Sequence, residues 1–301
     1  MAYQYLDTNA KPEIKFTFEG KPQAAFEHKI KNYLTSIADV FPLVSQLNLK
    51  IDSHNTFPHS SGIASSASSM SALAMCLAEI KQSLLGQAQL DLGQASELSR
   101  LGSGSASRSI YGPIAIWGKN ETVKEASNNY AIPYSEGIDP IFNDYHDDIL
   151  IVSKAEKSVS SRAGHALMID NPYAENRFDQ AHRHLSEIIT AMQSGDLEKF
   201  GAIVEKEALT LHALMMASDP PYILMEPATI TLVRMIQDYR KETNVPVYFT
   251  LDAGPNIHML YPHAYASEVA TLKAELKKHC AEETIIDDKV GTGPKKVNYE
   301  A

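Results

Sequence analysis

Cysteine is scarce in this sequence, and long apolar runs and an excess of positive charge are missing. Its 301 residues include only 2 cysteines, Cys76 and Cys280, too few for a disulfide framework, and no C-x-x-C pair points to zinc. No run of 18 apolar residues occurs, and the first residues lack the basic and apolar regions of a signal peptide. These absences predict a reduced, cytoplasmic protein that does not bind a membrane.

Acidic residues outnumber basic ones. Asp and Glu total 37 against 27 Lys and Arg, so the formal charge is −10. A nucleic-acid groove needs clustered cations that displace phosphate counterions, and no basic arm or stripe is present. The sequence therefore predicts no nucleic-acid partner, whereas a few placed cations or helix-end amides could still bind a small anion.

Strand and helix patterns follow one another without strict alternation, which favours an α+β fold. Alternating apolar residues predict strands over 13–18, 47–51, 114–117, 148–152, 246–250 and 257–260. Helical spacing predicts helices over 23–41, from 68 onward, and over 91–101, 173–194, 196–216, 227–242 and 265–280. We expect two parts, 1–150 and 151–301, and interpret His146-Asp-Asp148 as the solvated start of a strand.

A Ser- and Gly-rich stretch, 55–68, runs straight into a predicted helix. Small residues let the backbone curl around a ligand, and a helix start offers N–H groups and a positive dipole end. The hydroxyls of Ser65 and Ser66 could add donors or a Mg²⁺ ligand, a combination that suits a polyphosphate. The stretch matches neither Walker A nor G-x-G-x-x-G. An N-capped helix after a loop is the alternative.

Three further segments combine turn formers with chemically useful side chains. Residues 101–112 hold four serines and Arg108, whose guanidinium could bind a carboxylate bidentately. Asp252 opens Asp-Ala-Gly-Pro-Asn256 after an apolar strand and could act as a general base. Residues 158–164 form another Ser/Arg group that could hold an anion. Each segment has an ordinary alternative, a turn or a helix cap with its charged residue in solvent.

Taken together, these segments resemble diphosphomevalonate decarboxylases, of the galactose/homoserine/mevalonate/phosphomevalonate (GHMP) kinase superfamily. The matching pieces, in the family's order, are Pro58-His-Ser-Ser-Gly-Ile-Ala-Ser-Ser-Ala67, Gly102-Ser-Gly-Ser-Ala-Ser-Arg-Ser-Ile-Tyr-Gly112, Ser160-Ser-Arg-Ala-Gly164, Thr250-Leu-Asp-Ala-Gly-Pro-Asn256 and Gly291-Thr-Gly-Pro294. The resemblance extends from about residue 13 to the end, and the second and fourth pieces are its most specific parts.

The resemblance implies a two-lobed GHMP-kinase-like α+β fold and an ATP- and Mg²⁺-dependent decarboxylation in isoprenoid biosynthesis. ATP would phosphorylate the tertiary 3-hydroxyl of 5-diphosphomevalonate, and loss of phosphate and CO₂ would yield isopentenyl diphosphate and ADP. By the same resemblance, Asp252 sits by the 3-hydroxyl as base or orienter. Arg108 would hold the substrate carboxylate, and Ser103 and Ser105 would line the substrate pocket.

The remaining implied roles concern phosphate groups. Ser161 and Arg162 match the positions expected to bind the substrate diphosphate. The residues implied to cradle the ATP phosphates are Gly62, Ala64, Ser65 and Ser66, and Ser66 is also the implied Mg²⁺ ligand. The resemblance also implies a homodimer, although the residues themselves fix neither the oligomeric state nor the choice between a mono- and a diphosphate substrate.

One departure from the family pattern leaves alternatives open. Family members begin with a Lys-Tyr-Trp-Gly-Lys type signature that has no counterpart ahead of residue 13, and Ile114-Ala-Ile-Trp-Gly-Lys119 lies too late in the chain to replace it. We therefore expect an incomplete N-terminal nucleotide-binding lobe with an open sheet edge. The alternatives to the decarboxylase are a mevalonate or phosphomevalonate kinase, and a catalytically dead nucleotide-binding homologue.

Overall fold

The structure is a computed structural model of the chain. It describes residues 1–6, 11–57, 64–155 and 167–297. In this part of the chain, no helix combines the length and the apolar character that crossing a bilayer requires.

The N-terminal part contains a four-stranded main sheet, a separate sheet formed by its last two strands, and helices. Its strands are β1 (Ala2–Tyr5), β2 (Ile14–Phe18), β3 (Lys21–Pro22), β4 (Leu47–Ser53), β5 (Ala115–Trp117) and β6 (Ala131–Pro133). Its helices are α1 (Ala24–Ser36), α2 (Ser65–Leu85) and α3 (Leu92–Gly102), with 3₁₀ segments at Pro42–Gln46 and Gly104–Ile110. The main sheet has the order β1-β4-β2-β3, and β4 pairs with β2 in parallel and with β1 antiparallel.

Alternation of side chains explains how β4 sits in this sheet. Leu47, Leu49 and Ile51 point to one face and are buried, while the residues between them face outward. The buried face packs against α1 and α2, where Leu34 and Leu77 belong to the same apolar core. This core supports the first turn of α2, at which the Ser/Gly-rich stretch ends.

The C-terminal part is an antiparallel sheet with the order β10-β7-β9-β8. Its strands are β7 (Tyr145–Leu150), β8 (Tyr248–Leu251), β9 (Ile257–Pro262) and β10 (Ile285–Ile286). Its helices are α4 (Ala174–Ser194), α5 (Leu197–Met216), α6 (Pro227–Thr243) and α7 (Ala266–Lys277). One face of the sheet, including Phe249, Ile257 and Met259, forms a core with α6 and α7.

The α+β class is confirmed, with differences at element ends. Strand β1 was not predicted, because its four residues are all exposed and carry no buried alternation. Helix α1 ends at Ser36 rather than at 41. Phe41 is buried without being helical, and Pro42 disfavours a helical conformation in the residue before it. The spacing of apolar residues alone therefore overestimated the length of this helix.

The interpretation of His146-Asp-Asp148 as a solvated strand start was wrong for Asp148. This carboxylate is fully buried on the side of the sheet that faces α7. Its Oδ2 accepts hydrogen bonds from the Tyr261 hydroxyl and the Lys273 ammonium, each at 2.7 Å. Lys273 also pairs with Asp287. Local polarity gave no sign that a lysine more than 100 residues away would compensate the charge.

The segment after β10 returns to the N-terminal part. A Cβ on Gly112 would lie 2.5 Å from both Gly293 N and Thr292 C, so the two backbones meet at van der Waals contact there. Lys296 forms a 3.0 Å ion pair with Glu79 of α2. The C-terminal segment thus packs across the stretch that follows Arg108.

Candidate active site

The first turn of α2 is open to an anion. Ala64 precedes the helix in the left-handed conformation, with φ of 58°, and its side chain has no oxygen to cap the helix. The first turn contains no acidic residue, so no carboxylate neutralises the positive end of the helix dipole. Helix α2 begins at Ser65, three residues before the predicted start, which brings Ser65 and Ser66 into this turn.

A hydrogen bond joins α2 to the serine-rich segment. Ser66 Oγ lies 3.1 Å from Ser103 Oγ, so the predicted phosphate loop and the predicted substrate pocket are neighbours. Beneath them, Gly102 has no room for a side chain, because a Cβ would lie 2.5 Å from Met70 Sδ. The two predicted subsites therefore form one continuous surface, in which Ser66 is exposed and Ser105 is half-buried.

Buried serines fix the backbone around Arg108. The Ser107 hydroxyl donates to Gly104 O at 2.9 Å, and the Ser96 hydroxyl donates to Ser107 O at 2.9 Å. Ser96 and Ser107 are both inaccessible to solvent. Gly104 packs against the Trp117 ring, which a Cβ would approach to 3.0 Å. The 3₁₀ segment is therefore rigid on its inner side, and Arg108 projects from its outer side.

Arg108 and Asp252 lie within electrostatic range of each other, although 144 positions separate them in the sequence. Both side chains are exposed. Protein atoms nevertheless displace enough water to lower the pKa of the Arg108 guanidinium, and the negative charge of Asp252 partly offsets this effect. An exposed guanidinium whose hydration is partly displaced is well placed to bind an incoming anion.

Three neighbours hold the turn that carries Asp252. The buried His212 of α5 donates from Nε2 to Asp252 O at 3.1 Å. The Thr229 hydroxyl of α6 donates to Pro255 O at 2.7 Å. Asn256 Oδ1 accepts from Val152 N at 2.8 Å, which ties the turn to the end of β7. Burial lowers the pKa of His212, more than the Asp252 carbonyl and charge raise it, so this imidazole acts as a neutral donor.

A histidine–carboxylate pair lies beside the turn. His258 Nδ1 is 2.8 Å from Asp147 Oδ1, and the side chains are 15% and 40% exposed. Burial acts to lower the pKa of His258, but the hydrogen bond with Asp147 and the charges of Asp147, Asp252 and Asp288 outweigh it, so the pKa is raised. The Asp252 carboxylate thus shares its surroundings with Arg108 and His258.

Some predicted residues fall outside the described part of the chain. They are Gly62, Ser161 and Arg162. The remaining predicted residues form two groups, one around the Ser66–Ser103 hydrogen bond and the other around Arg108 and Asp252. Five positions separate Ser103 from Arg108, so the groups are connected through the rigid 3₁₀ segment.

The structure has two surface cavities elsewhere. One, of about 530 Å³, is lined by the start of α4, including Phe178, and by residues just before it, including Asn171. The other, of about 540 Å³, lies between α7 and β10 and includes Lys273 and Asp287. Neither is lined by those predicted site residues that the structure describes.

Residue-by-residue reasoning did not find the supports of the Asp252 turn. No local pattern singled out His212, and Thr229 and Asn256 carry no chemistry of their own. A signal did exist for Thr229, since Glu226 followed three residues later by a hydroxyl is a capping pattern. No local pattern shows that the hydroxyl also reaches Pro255.

The donors of the first group fit a nucleotide with its metal. A helix start with left-handed Ala64 and exposed Ser66 presents amides and a hydroxyl to phosphate oxygens. Magnesium keeps several waters and binds through few protein oxygens plus substrate phosphates, so a single hydroxyl is a sufficient protein contribution. The second group has the charges needed for a carboxylate and for a hydroxyl proton.

Solved structures share this fold. The mevalonate diphosphate decarboxylase from Staphylococcus aureus is 29% identical with a TM-score of 0.78, and the match covers 93% of this chain and 81% of that one. The Enterococcus faecalis enzyme is 26% identical with a TM-score of 0.77, covering 97% and 84%. A further similar structure, at 27% identity, a TM-score of 0.79 and the same coverage, is MDDEF in complex with MVAPP, AMPPCP and magnesium. The fold defines a protein of the GHMP kinase superfamily.

Protein-family models identify one family within this superfamily. Residues 5–129 match the diphosphomevalonate decarboxylase-like N-terminal domain, and residues 148–298 match the mevalonate 5-diphosphate decarboxylase C-terminal domain. The chain belongs to the diphosphomevalonate decarboxylase family.

Similar proteins from other organisms support the same family. The diphosphomevalonate decarboxylase of Aspergillus fumigatus is 32% identical over 78% of this chain, and that of Ganoderma lucidum is 29% identical over 77%. The phosphomevalonate decarboxylase of Haloferax volcanii is 28% identical over 70%. The matched regions span 57%, 58% and 61% of those three proteins.

Proposed function

We propose that this protein catalyses the ATP- and Mg²⁺-dependent decarboxylation of 5-diphosphomevalonate to isopentenyl diphosphate, with release of ADP, phosphate and CO₂. The observation that supports the proposal is that the exposed side chains of Arg108 and Asp252, 144 positions apart in the sequence, lie close enough for the charge of Asp252 to act on the pKa of Arg108. A cation for the substrate carboxylate and a base for its hydroxyl are both needed when one molecule is phosphorylated and then decarboxylated.

Asp252 has the role of base or orienter at the 3-hydroxyl. Its carboxylate accepts the hydroxyl proton as the oxygen takes the γ-phosphoryl group of ATP. The turn holding Asp252 is tied to α5 and α6 through its backbone carbonyls, so the side chain is held without its carboxylate being consumed. Positioning of this kind lowers the entropic part of the barrier.

Arg108 holds the substrate carboxylate during the second step, in which phosphate and CO₂ are lost. The C3–O bond breaks with loss of phosphate, the bond from C2 to the carboxyl carbon supplies the electrons of the new C2–C3 double bond, and CO₂ leaves. Because these electrons depart from the carboxylate, the cation must orient it without stabilising its charge too strongly. The negative charge of Asp252 also attracts Arg108, and this competition limits how strongly the guanidinium stabilises the substrate carboxylate.

The α2 start and its serines bind the nucleotide side of the reaction. The exposed Ser66 hydroxyl is the proposed protein ligand for Mg²⁺, which neutralises phosphate charge when bound. The hydrogen bond between the Ser66 and Ser103 hydroxyls brings this subsite next to the proposed substrate pocket. Gly62, Ser65 and Ala64 line the phosphates in the proposal.

The substrate pocket completes the proposed site. Ser103 and Ser105 line it, and Ser161 with Arg162 binds the substrate diphosphate. A cytoplasmic location and a homodimer stay predictions of the sequence.

The proposal is tested by supplying ATP, Mg²⁺ and 5-diphosphomevalonate to the purified chain and following ADP, phosphate and CO₂ together. Equal amounts of the three products are expected. ADP with a stable 3-phosphorylated product would support a kinase instead, and binding without turnover would support a catalytically dead homologue.

A monophosphate substrate is the second candidate, because the Haloferax volcanii relative is a phosphomevalonate decarboxylase. The same assay with 5-phosphomevalonate separates the two. We expect kcat/KM for the diphosphate to exceed kcat/KM for the monophosphate by about tenfold or more. A tenfold ratio corresponds to about 1.4 kcal/mol of transition-state stabilisation, which one additional contact to the second phosphate would supply.

A further inference from the structure

Helix α3 places a buried serine, Ser96, against the segment that carries Arg108. Ser96 is inaccessible to solvent, and its Oγ donates to Ser107 O at 2.9 Å. The same oxygen accepts a hydrogen bond from Ala131 N of β6 at 2.8 Å. A hydroxyl has one hydrogen, which Ser107 O receives, and lone pairs, one of which the Ala131 N–H occupies. One buried atom therefore joins α3, the 3₁₀ segment and β6.

The bond to Ser107 O acts on the peptide unit that leads into Arg108. The carbonyl of Ser107 lies in one plane with the N and Cα atoms of Arg108, because the peptide bond between them is rigid. Hydrogen bonds inside the segment, such as Ser107 Oγ to Gly104 O at 2.9 Å and Tyr111 N to Arg108 O at 3.1 Å, preserve its shape. The bond from Ser96 instead fixes its place relative to α3 and β6.

The two-stranded sheet of β5 and β6 supports the segment at two points. Ala131 of β6 is the register partner of Trp117 of β5. The Trp117 ring lies against Gly104, where an added Cβ would come within 3.0 Å of Cη2. The sheet therefore contacts Gly104, at the start of the segment, through Trp117. It contacts Ser107, further along, through Ser96.

Loss of the Ser96 hydroxyl would shift this support. Ser107 and Ala131 are fully buried, so removal of Ser96 Oγ leaves an interior C=O and an interior N–H without their partner. They regain a hydrogen bond by approaching each other or by admitting water into the space. Either change displaces the peptide unit before Arg108. A misplacement of about 1 Å can cost about 10²-fold in rate when a group must meet its substrate in one orientation.

We propose that Ser96 is a positioning residue, which orients the Arg108 guanidinium toward the substrate carboxylate by fixing the Ser107 carbonyl. This inference rests on the proposed function. It assigns an effect on the reaction to a buried hydroxyl of α3, with no contact to substrate required.

The test is a double-mutant cycle of Ser96→Ala with Arg108→Lys, measured as kcat/KM for 5-diphosphomevalonate with saturating ATP and Mg²⁺. Ser96→Ala alone should lower kcat/KM about tenfold, because the guanidinium is misplaced. In the Arg108→Lys background, the same substitution should cost less than about twofold, since the planar fork that Ser96 positions is already lost. The KM for ATP should change by less than about twofold in Ser96→Ala. A general weakening of the fold would instead lower kcat/KM equally in both backgrounds.

Ser99→Ala is the matched control. Ser99 lies on the same helix and is also fully buried, and its hydroxyl donates to Ser96 O at 2.8 Å within α3. The control therefore deletes an equally buried hydroxyl and leaves the hydrogen bond to the Arg108 segment in place. Both variants should unfold at a lower temperature than wild type, whereas Ser99→Ala should keep kcat/KM within about twofold of wild type.

The outcomes separate this inference from the proposed function. Absence of turnover in folded wild type overturns the proposed function and the inference with it. Normal wild-type turnover with unchanged kcat/KM in Ser96→Ala overturns the inference alone. So does an equal loss in both backgrounds, or a loss in Ser99→Ala as large as in Ser96→Ala. If Ser96→Ala fails to fold, the same cycle with Ser96→Cys decides, because the thiol fills the site as a weaker donor and acceptor.

Discussion

Asp252 combines an accessible side chain with a restrained backbone. Its carboxylate is exposed, while its carbonyl oxygen is fixed by the buried His212. The neighbouring cations, Arg108 and His258, are held by separate elements, so each can be altered without removing the other. Substitutions at these side chains therefore test chemistry with limited disturbance of the fold.

Asp252→Asn should abolish turnover, because it removes the basic oxygen at nearly constant volume. Loss of a general base costs about 10²–10⁴ in rate. The measurement is kcat for phosphate release, with thermal unfolding as the check on folding. Asp39→Asn, an exposed aspartate after α1, is the control and should match wild type. Activity of Asp252→Asn within about threefold of wild type would contradict the role.

Arg108→Lys should be impaired by about tenfold or more in kcat/KM, since a point cation cannot reproduce the planar fork. The surroundings that lower the pKa of Arg108 would also favour neutral lysine. Steady-state kinetics at pH 7 and pH 9 measure both effects, and the loss should be larger at pH 9. Arg183→Lys on the exposed face of α4 is the control. Unchanged kcat and KM in Arg108→Lys would refute the carboxylate clamp.

At the scale of secondary-structure elements, the Thr229 hydroxyl connects the start of α6 with the turn that carries Asp252. Thr229 Oγ1 accepts from Glu226 N at 3.1 Å, which caps α6, and donates to Pro255 O at 2.7 Å. The residue is fully buried. The start of α6 and the Asp252 turn are therefore joined through a single atom, and loosening one loosens the other.

Thr229→Val should lower the free energy of unfolding by about 1–3 kcal/mol, because it removes a buried hydroxyl and leaves the part-buried Glu226 N–H and Pro255 carbonyl without their partner. We also expect a lower kcat, since the turn loses one of its supports. Urea unfolding and steady-state kinetics measure these effects. Thr231→Val, exposed on the same helix, should change stability by less than about 0.5 kcal/mol. Equal stabilities of the two variants would show that the Thr229 contacts contribute nothing.

At the scale of the whole molecule, the C-terminal segment contacts both parts of the chain. Strand β10 pairs with β7, and the chain then crosses to the N-terminal part, where residues 291–293 contact Gly112. Gly112 lies four residues after Arg108. Contact between backbones at this point couples the position of Arg108 to the sheet that carries Asp252.

Gly112→Ala should destabilise the protein, because the added Cβ would meet backbone atoms of residues 291–293 at 2.5–2.7 Å. We expect a loss of about 1–3 kcal/mol, typical of overpacking, with a raised KM for the substrate. Gly93→Ala in α3 is the matched control, since its Cβ would find only an ordinary 3.5 Å contact. The control should be stabilised by about 0.4–1 kcal/mol. A Gly112→Ala protein as stable as the control would contradict the close approach.

Much of the fold followed from periodicity, and the exceptions have identifiable causes. Buried strands such as β4 alternate clearly, whereas β1 is exposed along its length and has no pattern to detect. The buried Asp148 was misjudged because its partner Lys273 lies on α7. Within the predicted site, Ser66 and Ser103 are hydrogen-bonded neighbours, and Arg108 and Asp252 lie within electrostatic range, whereas the roles of these residues stay predictions.

The chemical groups of this protein and their order along the chain are readable from local patterns. The Ser/Gly-rich stretch, the Arg108 segment and the Asp252 turn are such patterns, and their composition reflects local backbone requirements. Which of these groups meet depends on the way the chain packs. The contacts of His212, Thr229 and His258 with the Asp252 turn or with Asp147 span 26 to 111 positions, and pairings of that length depend on the packing of whole helices and sheets.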